Sequence, residues 1–469
     1  MAFAGETPPA APFADLQGAY DWLESQINHE RALDSVTYSD RVFERDGFLR
    51  RLAAVGDPHV GLCTVHIAGT RGKGSCALIL EALLRACGLR TAVFTSPHIH
   101  EYRERIRIDG APLAGERFTK LLAAIASVGH EGTPPPKARF KTVFENLTAL
   151  FFLAARDAGV DWAIVETGLG GRLDATNVLE PGPVLLTRIG LEHTHLLGST
   201  LGQIAGEKAA ILKQGGWAVA GAQPGGQVGQ VFRRRAREVG APLDGAEELC
   251  PLLTVQAHRD GLHLSVQFDG QPLDCELPIL GPFQAENIQN ALAMITRLRR
   301  EGLLPEVPRE RLARALGDLR LPGRLERLST VPELIVDGGH CPTAAAALAE
   351  SMRVHFTTET AGLLVGMMSD KDHAGFFEAL ARWEGFRWVV CYPVDLPRAA
   401  APEDLARHAR RHWPQVLVME NLEQGLEALP GIAEKVDRVV AAGTLMAISR
   451  LHAWAQADVK ALRSTHKEE

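Results

Sequence analysis

Eight residues, Ala68-Gly69-Thr70-Arg71-Gly72-Lys73-Gly74-Ser75, carry the plainest chemistry in the chain. An apolar run, Leu62 to Ile67, precedes them, and a helical pattern from Ala77 to Cys87 follows. A glycine-rich turn between a strand and a helix aims successive backbone N–H groups at one point. That point is also the positive end of the helix dipole, so it suits phosphate. Lys73 adds a charge for β- and γ-phosphate oxygens, and Ser75 a hydroxyl for Mg²⁺. The pattern, Gly-x-x-Gly-Lys-Gly-Ser, is a P-loop variant with an extra glycine between lysine and serine. It implies ATP; the competing reading is a plain strand–helix turn.

Other polar residues stand at the ends of apolar runs. Glu166 closes Ala163-Ile164-Val165 and opens Thr167-Gly168-Leu169-Gly170-Gly171-Arg172-Leu173-Asp174-Ala175-Thr176-Asn177. A carboxylate at a strand's carboxyl end is where open α/β sheets bind ligands, and its hard oxygens suit Mg²⁺. A strand-capping Glu is the alternative. His193, in Gly190-Leu191-Glu192-His193, is either a metal ligand with Glu192 beside it or an ordinary hydrogen-bonding residue. Lys208 sits on a helical pattern among small apolar residues. It either reaches solvent along its stem or is partly buried, with a lowered pKa and a modifiable amine. Asp337 ends Glu333–Asp337 ahead of Gly338-Gly339-His340-Cys341-Pro342. It suits a ribose or a metal-bound phosphate, or else belongs to a helix N-cap region. Cys341 could be a nucleophile, but the sequence offers no obvious His/Asn partner set for it.

The elements that must position these residues are α/β. Strands are expected at Thr64–Ala68, Arg90–Thr95, Trp162–Glu166 and Val184–Ile189, with amphipathic helices between them, which argues for a parallel sheet. A helix is expected over Ala19–Ile27 after a disordered start at about 1–16, and Thr133 to Lys137 reads as a loop. An antiparallel ribbon occupies about 251–280, followed by a helix, Gln284 to Arg299. A second strand–helix series comprises Glu333–Asp337, Gly362–Met367, Trp388–Tyr392, Val416–Met419 and Arg438–Ala442. It reads as a smaller doubly wound, Rossmann-like domain. The expected domains are 1–320 and 321–469, parted near Leu321-Pro322-Gly323, with a ligand cleft between them.

Composition limits the partners. With 469 residues, 46% hydrophobic and 23% charged, the chain is a multidomain globular protein. A net charge of −7 offers no basic field for nucleic acid. No apolar run nears the ~20 residues that span a bilayer, and Met1 to Leu16, without a basic n-region or an apolar h-region, does not read as a signal peptide. Seven scattered cysteines without a Cys-x-x-Cys pair read as reduced thiols, hence a cytoplasmic setting. A monomer acting on small molecules is expected.

Taken together, ordered segments resemble the folylpolyglutamate synthase/dihydrofolate synthase family, within the Mur-type amide ligases. They are His66 to Ser75, Phe94-Thr95-Ser96-Pro97-His98, Glu104-Arg105-Ile106, Thr142-Val143-Phe144-Glu145 and Glu166 to Asn177. Further on come Ile189 to Thr194, Glu207-Lys208, Gln284 to Asn287, Pro322-Gly323-Arg324, Asp337 to Pro342 and Ser369-Asp370-Lys371-Asp372. The run Gly-Leu-Gly-Gly-Arg-Leu-Asp-Ala-Thr-Asn is the most specific of these.

The resemblance implies a P-loop Mur-ligase-like domain followed by a glutamate ligase domain. It implies that ATP phosphorylates a pterin-acid or folate carboxylate, and that L-glutamate attacks the acyl phosphate. It assigns Ser75, Glu166 and His193 to Mg²⁺, with Lys208 a further ligand if carbamylated. Gly69 to Ser75, Asn287, Arg324, Asp337 and His340 are assigned to ATP, with Lys73, Lys208, Asp337 and His340 as the catalytic set. Thr95, Ser96, Pro97 and His98 border the acid substrate. The sequence departs from the family pattern at Arg71 (usually Asn), Glu192 (usually Asp) and Gly339-His340-Cys341 (usually Ala-His-Asn). The alternatives are a Mur-type ligase with another carboxylate acceptor and a non-catalytic ATP-binding module.

Overall fold

The computed structural model describes residues 12–28, 45–127, 142–221, 226–330 and 333–465. The expected loop at Thr133–Lys137 and the first eleven residues of the expected disordered start lie outside these. The chain separates into two compact units. The first comprises Met1–Leu253, Val266–Leu273 and Glu286–Leu316; the second comprises Thr254–Ser265, Asp274–Ala285 and Gly317–Glu469.

The strands of the first unit are β1 (Thr64–Ala68), β2 (Thr91–Phe94), β3 (Ile106–Ile108), β4 (Ala111–Pro112), β5 (Trp162–Glu166), β6 (Pro183–Leu186), β7 (Trp217–Ala220) and β8 (Leu243–Gly245). They form one sheet in the order β4-β3-β2-β5-β1-β6-β7-β8. From β2 to β8 the pairing is parallel, and β3 and β4 add an antiparallel edge. All five residues of β1 and of β5 are buried, as expected for strands covered on both faces. In register, Ile67 faces Glu166 and Ala68 faces Leu186, so β5, β1 and β6 end side by side. A core of Phe94, Leu147, Phe151, Phe152 and Val165 packs helix Val143–Ala158 against this sheet.

Three sequence expectations are corrected here. The first helix runs Leu16–Glu24, not Ala19–Ile27, because the Asp15 carboxylate accepts the Gly18 N–H and caps it early. Residues 12–15 and Leu16 are therefore ordered, not part of a disordered start. The sixth strand ends at Leu186, not Ile189, since Thr187 and Arg188 turn to bind the P-loop backbone. The edge strands β3, β4 and β8 have no counterpart in the sequence reading; at two or three residues each, they are too short for alternation to show.

The ribbon comprises β9 (Leu252–His258), β10 (Gly261–Phe268) and β11 (Gln271–Leu277), a three-stranded sheet through which the unit boundary passes. Asp269 and Gly270, at φ 48° and 76°, make its tight turn. The second unit holds β12 (Glu326–Thr330), β13 (Glu333–Val336), β14 (Ala361–Val365), β15 (Phe386–Cys391), β16 (Gln415–Val418) and β17 (Arg438–Ala442), in the order β12-β13-β17-β14-β15-β16. Only β12, among these, pairs antiparallel. Its core includes Ile335, Leu363, Phe376, Phe377, Phe386 and Val440.

Candidate active site

Chain reversal after β1 creates the loop at the centre of the first unit. Gly72 adopts φ 80°, a left-handed conformation that glycine takes without steric cost, and caps helix Lys73–Ala86. A Cβ there would stand 2.2 Å from Asn287 Oδ1, so the assigned nucleotide residue Asn287 lies against the P-loop. A Cβ on Gly69 would stand 1.8 Å from Thr187 Oγ1. The loop is pinned to the segment after β6. The Arg188 carbonyl accepts the Thr70 and Arg71 N–H groups at 2.9 and 3.2 Å. Thr187 Oγ1 donates to the Arg71 carbonyl at 2.8 Å, and Thr70 Oγ1 to that of Gly190 at 3.2 Å.

Lys73 Nζ lies 3.6 Å from Glu166 Oε1. Glu166 is 4% exposed and also accepts the Ser96 N–H at 3.1 Å. Gly74 approaches the same carboxylate: its Cβ would sit 3.2 Å from Glu166 Oε2. Glu166 therefore faces the P-loop and is more than a strand cap. Ser75 is buried on the first turn of the helix.

Lys208 is 5% exposed, so the buried reading of this residue holds and the solvent-reaching one does not. Burial, then the nearby charge of Lys73, pushes its amine down to about 7, while Glu192, Asp174 and Glu166 oppose the shift. Those influences place Lys208 among the P-loop lysine and three carboxylates, one of them adjacent in sequence to His193. His193 itself holds a left-handed φ of 50° at the N-cap of the short helix Thr194–Leu197. Among the described residues, no three His, Cys, Asp or Glu side chains gather as a metal cage. The set assigned by resemblance contains only two such residues, Glu166 and His193; its other assigned members are Ser75 and, if carbamylated, Lys208.

Beside β5, the segment after β2 carries Thr95 to His98. The Thr95 N–H donates to the Arg105 carbonyl at 3.0 Å, and Ser96–Pro97 is a cis peptide. Arg105 Nε donates to His98 Nδ1 at 3.0 Å, and the His98 ring meets Tyr102 edge-on with centroids 4.6 Å apart. Glu104 gathers the N–H groups of Ile99, His100 and Glu101 at 2.8, 2.9 and 3.2 Å.

In the second unit, Asp337 follows β13 and is buried. It accepts the Gly339 N–H at 2.8 Å and the Leu325 N–H at 3.1 Å, bracing two turns. Burial raises its pKa, and Arg324, these bonds and His340 counter the rise. Asp337 is not at the helix N-cap; Cys341 is, with Pro342 in the first turn of Pro342–His355. Arg324, Asp337 and His340 thus form one corner of this unit.

The sequence reading kept Ser96 apart from Glu166. Their contact follows from the strand order β2-β5-β1, which sequence spacing does not encode. Arg105 enters the sequence analysis only within a motif, and its signal is a basic residue immediately before an edge strand. The sequence offers Glu192 only as a companion of His193; in the structure its charge also acts on Lys208.

Residues 323–445 match the family described as Mur ligase, glutamate ligase domain. That module, with a P-loop sheet ending in this acid–base cluster, defines a Mur-type ligase. The chain is 33% identical over 438 residues to the dihydrofolate synthase/folylpolyglutamate synthase of Mycobacterium tuberculosis, covering 88% of each. It is 31% identical to a probable bifunctional folylpolyglutamate synthase/dihydropteroate synthase of Haloferax volcanii; 87% of this chain matches 48% of that relative, about half its length. The crystal structure of Mycobacterium tuberculosis folylpolyglutamate synthase complexed with ADP and AMPPCP is similar, with a TM-score of 0.81 at 28% identity, over 95% of this chain and 98% of that one. This chain belongs to the folylpolyglutamate synthase/dihydrofolate synthase family.

Proposed function

We propose that this chain is an ATP-dependent ligase that joins L-glutamate to a pterin acid or a folate through an acyl phosphate. The observation that carries the reading is the pairing of the half-buried Lys73 with the buried Glu166 at the P-loop, with the buried Lys208 within reach of both charges. The relatives named for the same reaction support it, as does the neighbour crystallised with adenine nucleotides.

The residues fit a divalent ion: a buried carboxylate, Glu166, faces the loop, and hydroxyl, imidazole and carbamate donors are the assigned companions. Bound there, Mg²⁺ supplies charge neutralisation for phosphoryl oxygens. The chain's own groups do the rest. P-loop N–H groups and the Lys73 ammonium bind and orient the triphosphate. An acid carboxylate held along Thr95–His98 attacks the γ-phosphorus, and ADP departs. The amine of L-glutamate then attacks the acyl carbon, an amide forms and phosphate leaves. Lys208, held largely neutral above pH 7, is able to take up CO₂ as an anionic carbamate. Asn287, Arg324, Asp337 and His340 are assigned to nucleotide contact.

The test is product formation by the purified chain with ATP, Mg²⁺ and L-glutamate, offered dihydropteroate or tetrahydrofolate. The reading expects ADP release that requires both acid and glutamate, and a product heavier by one glutamyl residue. ATP hydrolysis indifferent to either co-substrate overturns it.

A further inference from the structure

Beneath this cluster runs a buried hydrogen-bond chain that the reaction as described does not use. His66 lies on β1, and Asp174 and Thr176 lie in the loop that follows β5; their exposures are 4%, 7% and 0%. Asp174 Oδ2 accepts the Leu169 N–H at 2.8 Å. Asp174 Oδ1 accepts both the N–H and the hydroxyl of Thr176, at 3.0 and 2.5 Å. A hydroxyl has one proton to give. With that proton directed to Asp174, Thr176 Oγ1 takes the role of acceptor towards His66 Nε2, 2.8 Å away. Burial pushes the imidazole down to about 3, so the ring is neutral and its single N–H is the Nε2 proton. Burial raises the Asp174 pKa, and its bonds from Thr176 and Leu169 oppose the rise; with Asp174 ionised, the bonds run from His66 through Thr176 to Asp174.

The other side of the same loop presses on the helix that carries Lys208. The Arg172 N–H donates to the Glu207 carbonyl at 2.9 Å, and its guanidinium pairs with the Glu207 carboxylate at 3.0 Å. A Cβ on Gly171 would stand 2.7 Å from Glu207 O and 3.0 Å from Lys208 Cα, so only glycine allows this approach. Asn177 Nδ2 closes the loop on the Arg172 carbonyl at 3.0 Å. One loop therefore touches the strand that feeds the P-loop and the backbone that holds Lys208.

We propose that Thr176, with Asp174 and His66, is a positioning clamp: it fixes the Gly168–Asn177 loop, and through it holds Lys208 in register with Lys73 and Glu166. All three are buried, and their role is to position other groups. The clamp works because a buried network whose members satisfy one another is rigid, and a displacement of about 1 Å in a reacting cluster costs about 10²-fold in rate. The proposal rests on the ligase reading of Lys208 and Glu166.

The test compares Thr176→Val, which keeps the shape and loses both side-chain bonds, with Thr176→Ser, which keeps the hydroxyl. Two readouts are taken: steady-state kinetics, and hydrogen exchange of the 168–177 backbone in the absence of substrates. The valine protein is expected to lose about 10–100-fold in kcat with KM for ATP within about threefold, and to exchange faster over 168–177; the serine protein recovers kcat to within about threefold. Wild-type kcat and exchange in the valine protein, or equal losses in both variants, overturn the clamp. Should the valine protein not fold, His66→Leu against His66→Gln puts the same question, since Gln offers an N–H near the Nε2 position; equal kcat in that pair overturns the clamp. An inactive wild type would count against the ligase reading alone, because the exchange comparison still reports on the clamp.

Discussion

Lys73 and Glu166 stand 3.6 Å apart, one opening a helix and the other closing the strand beside it, both shielded from solvent. Such a pair is poised to exchange partners: the ammonium for phosphate oxygens, the carboxylate for a divalent ion. Replacing Lys73 by Ala is expected to lower kcat/KM at least about 10²-fold, the usual loss when a charge-stabilising group is removed. The thermal midpoint should move by only a few degrees, because the hydrophobic cores lie elsewhere. ADP release and a melting curve check both halves; wild-type turnover removes Lys73 from the mechanism.

Gly72→Ala is expected to weaken nucleotide binding and to destabilise the fold by about 1–3 kcal/mol. The added Cβ meets Asn287 Oδ1 at 2.2 Å and holds a left-handed φ of 80°. Urea denaturation and titration with a non-hydrolysable ATP analogue measure the two effects.

Lys208 gives stability a pH dependence with a definite sign. Its folded pKa, about 7, lies below the ~10.4 of an unfolded lysine. Between those values the unfolded chain binds a proton that the folded chain does not, so this residue's contribution to stability rises with pH. Below about 7 both states are protonated and the full cost of burying the charge is felt. Lys208→Met removes the dependence. Urea midpoints of the wild type should therefore gain on those of Lys208→Met between pH 7 and 9, and an unchanged difference sinks the assignment. Lys208→Ala should lose turnover and regain part of it with an added short carboxylate, if the carbamate forms.

His98 is expected as the tautomer carrying its proton on Nε2, because Arg105 only donates and does so to Nδ1. Long-range ¹H–¹⁵N spectra of the ring read this directly. If that N–H meets the acid substrate, His98→Asn raises KM for the acid about 3–10-fold, the worth of one neutral hydrogen bond, and leaves KM for ATP unchanged.

Much of this site was legible as local pattern. The glycine loop, Lys73 and the strands that end at Ala68 and Glu166 are contiguous signals, set by short-range sterics and by apolar runs that sheets must bury. The run Gly168 to Asn177 was legible as a motif, but its physical use was not. Asp174 and Thr176 act on His66, 110 residues earlier for Thr176, and no local rule links them. Asp337 was placed correctly at a strand end, yet its carboxylate braces turns and leaves the helix cap to Cys341.

The sequence by itself determined which residues could do chemistry, because residue type and the strand–turn–helix order are properties of neighbouring positions. The tertiary structure alone decided which of them meet. Strand order in the sheet set Ser96 beside Glu166, and burial made Lys208 a weak base. Both depend on pairings between distant segments, where hydrogen-bond geometry and desolvation act and sequence spacing carries no information.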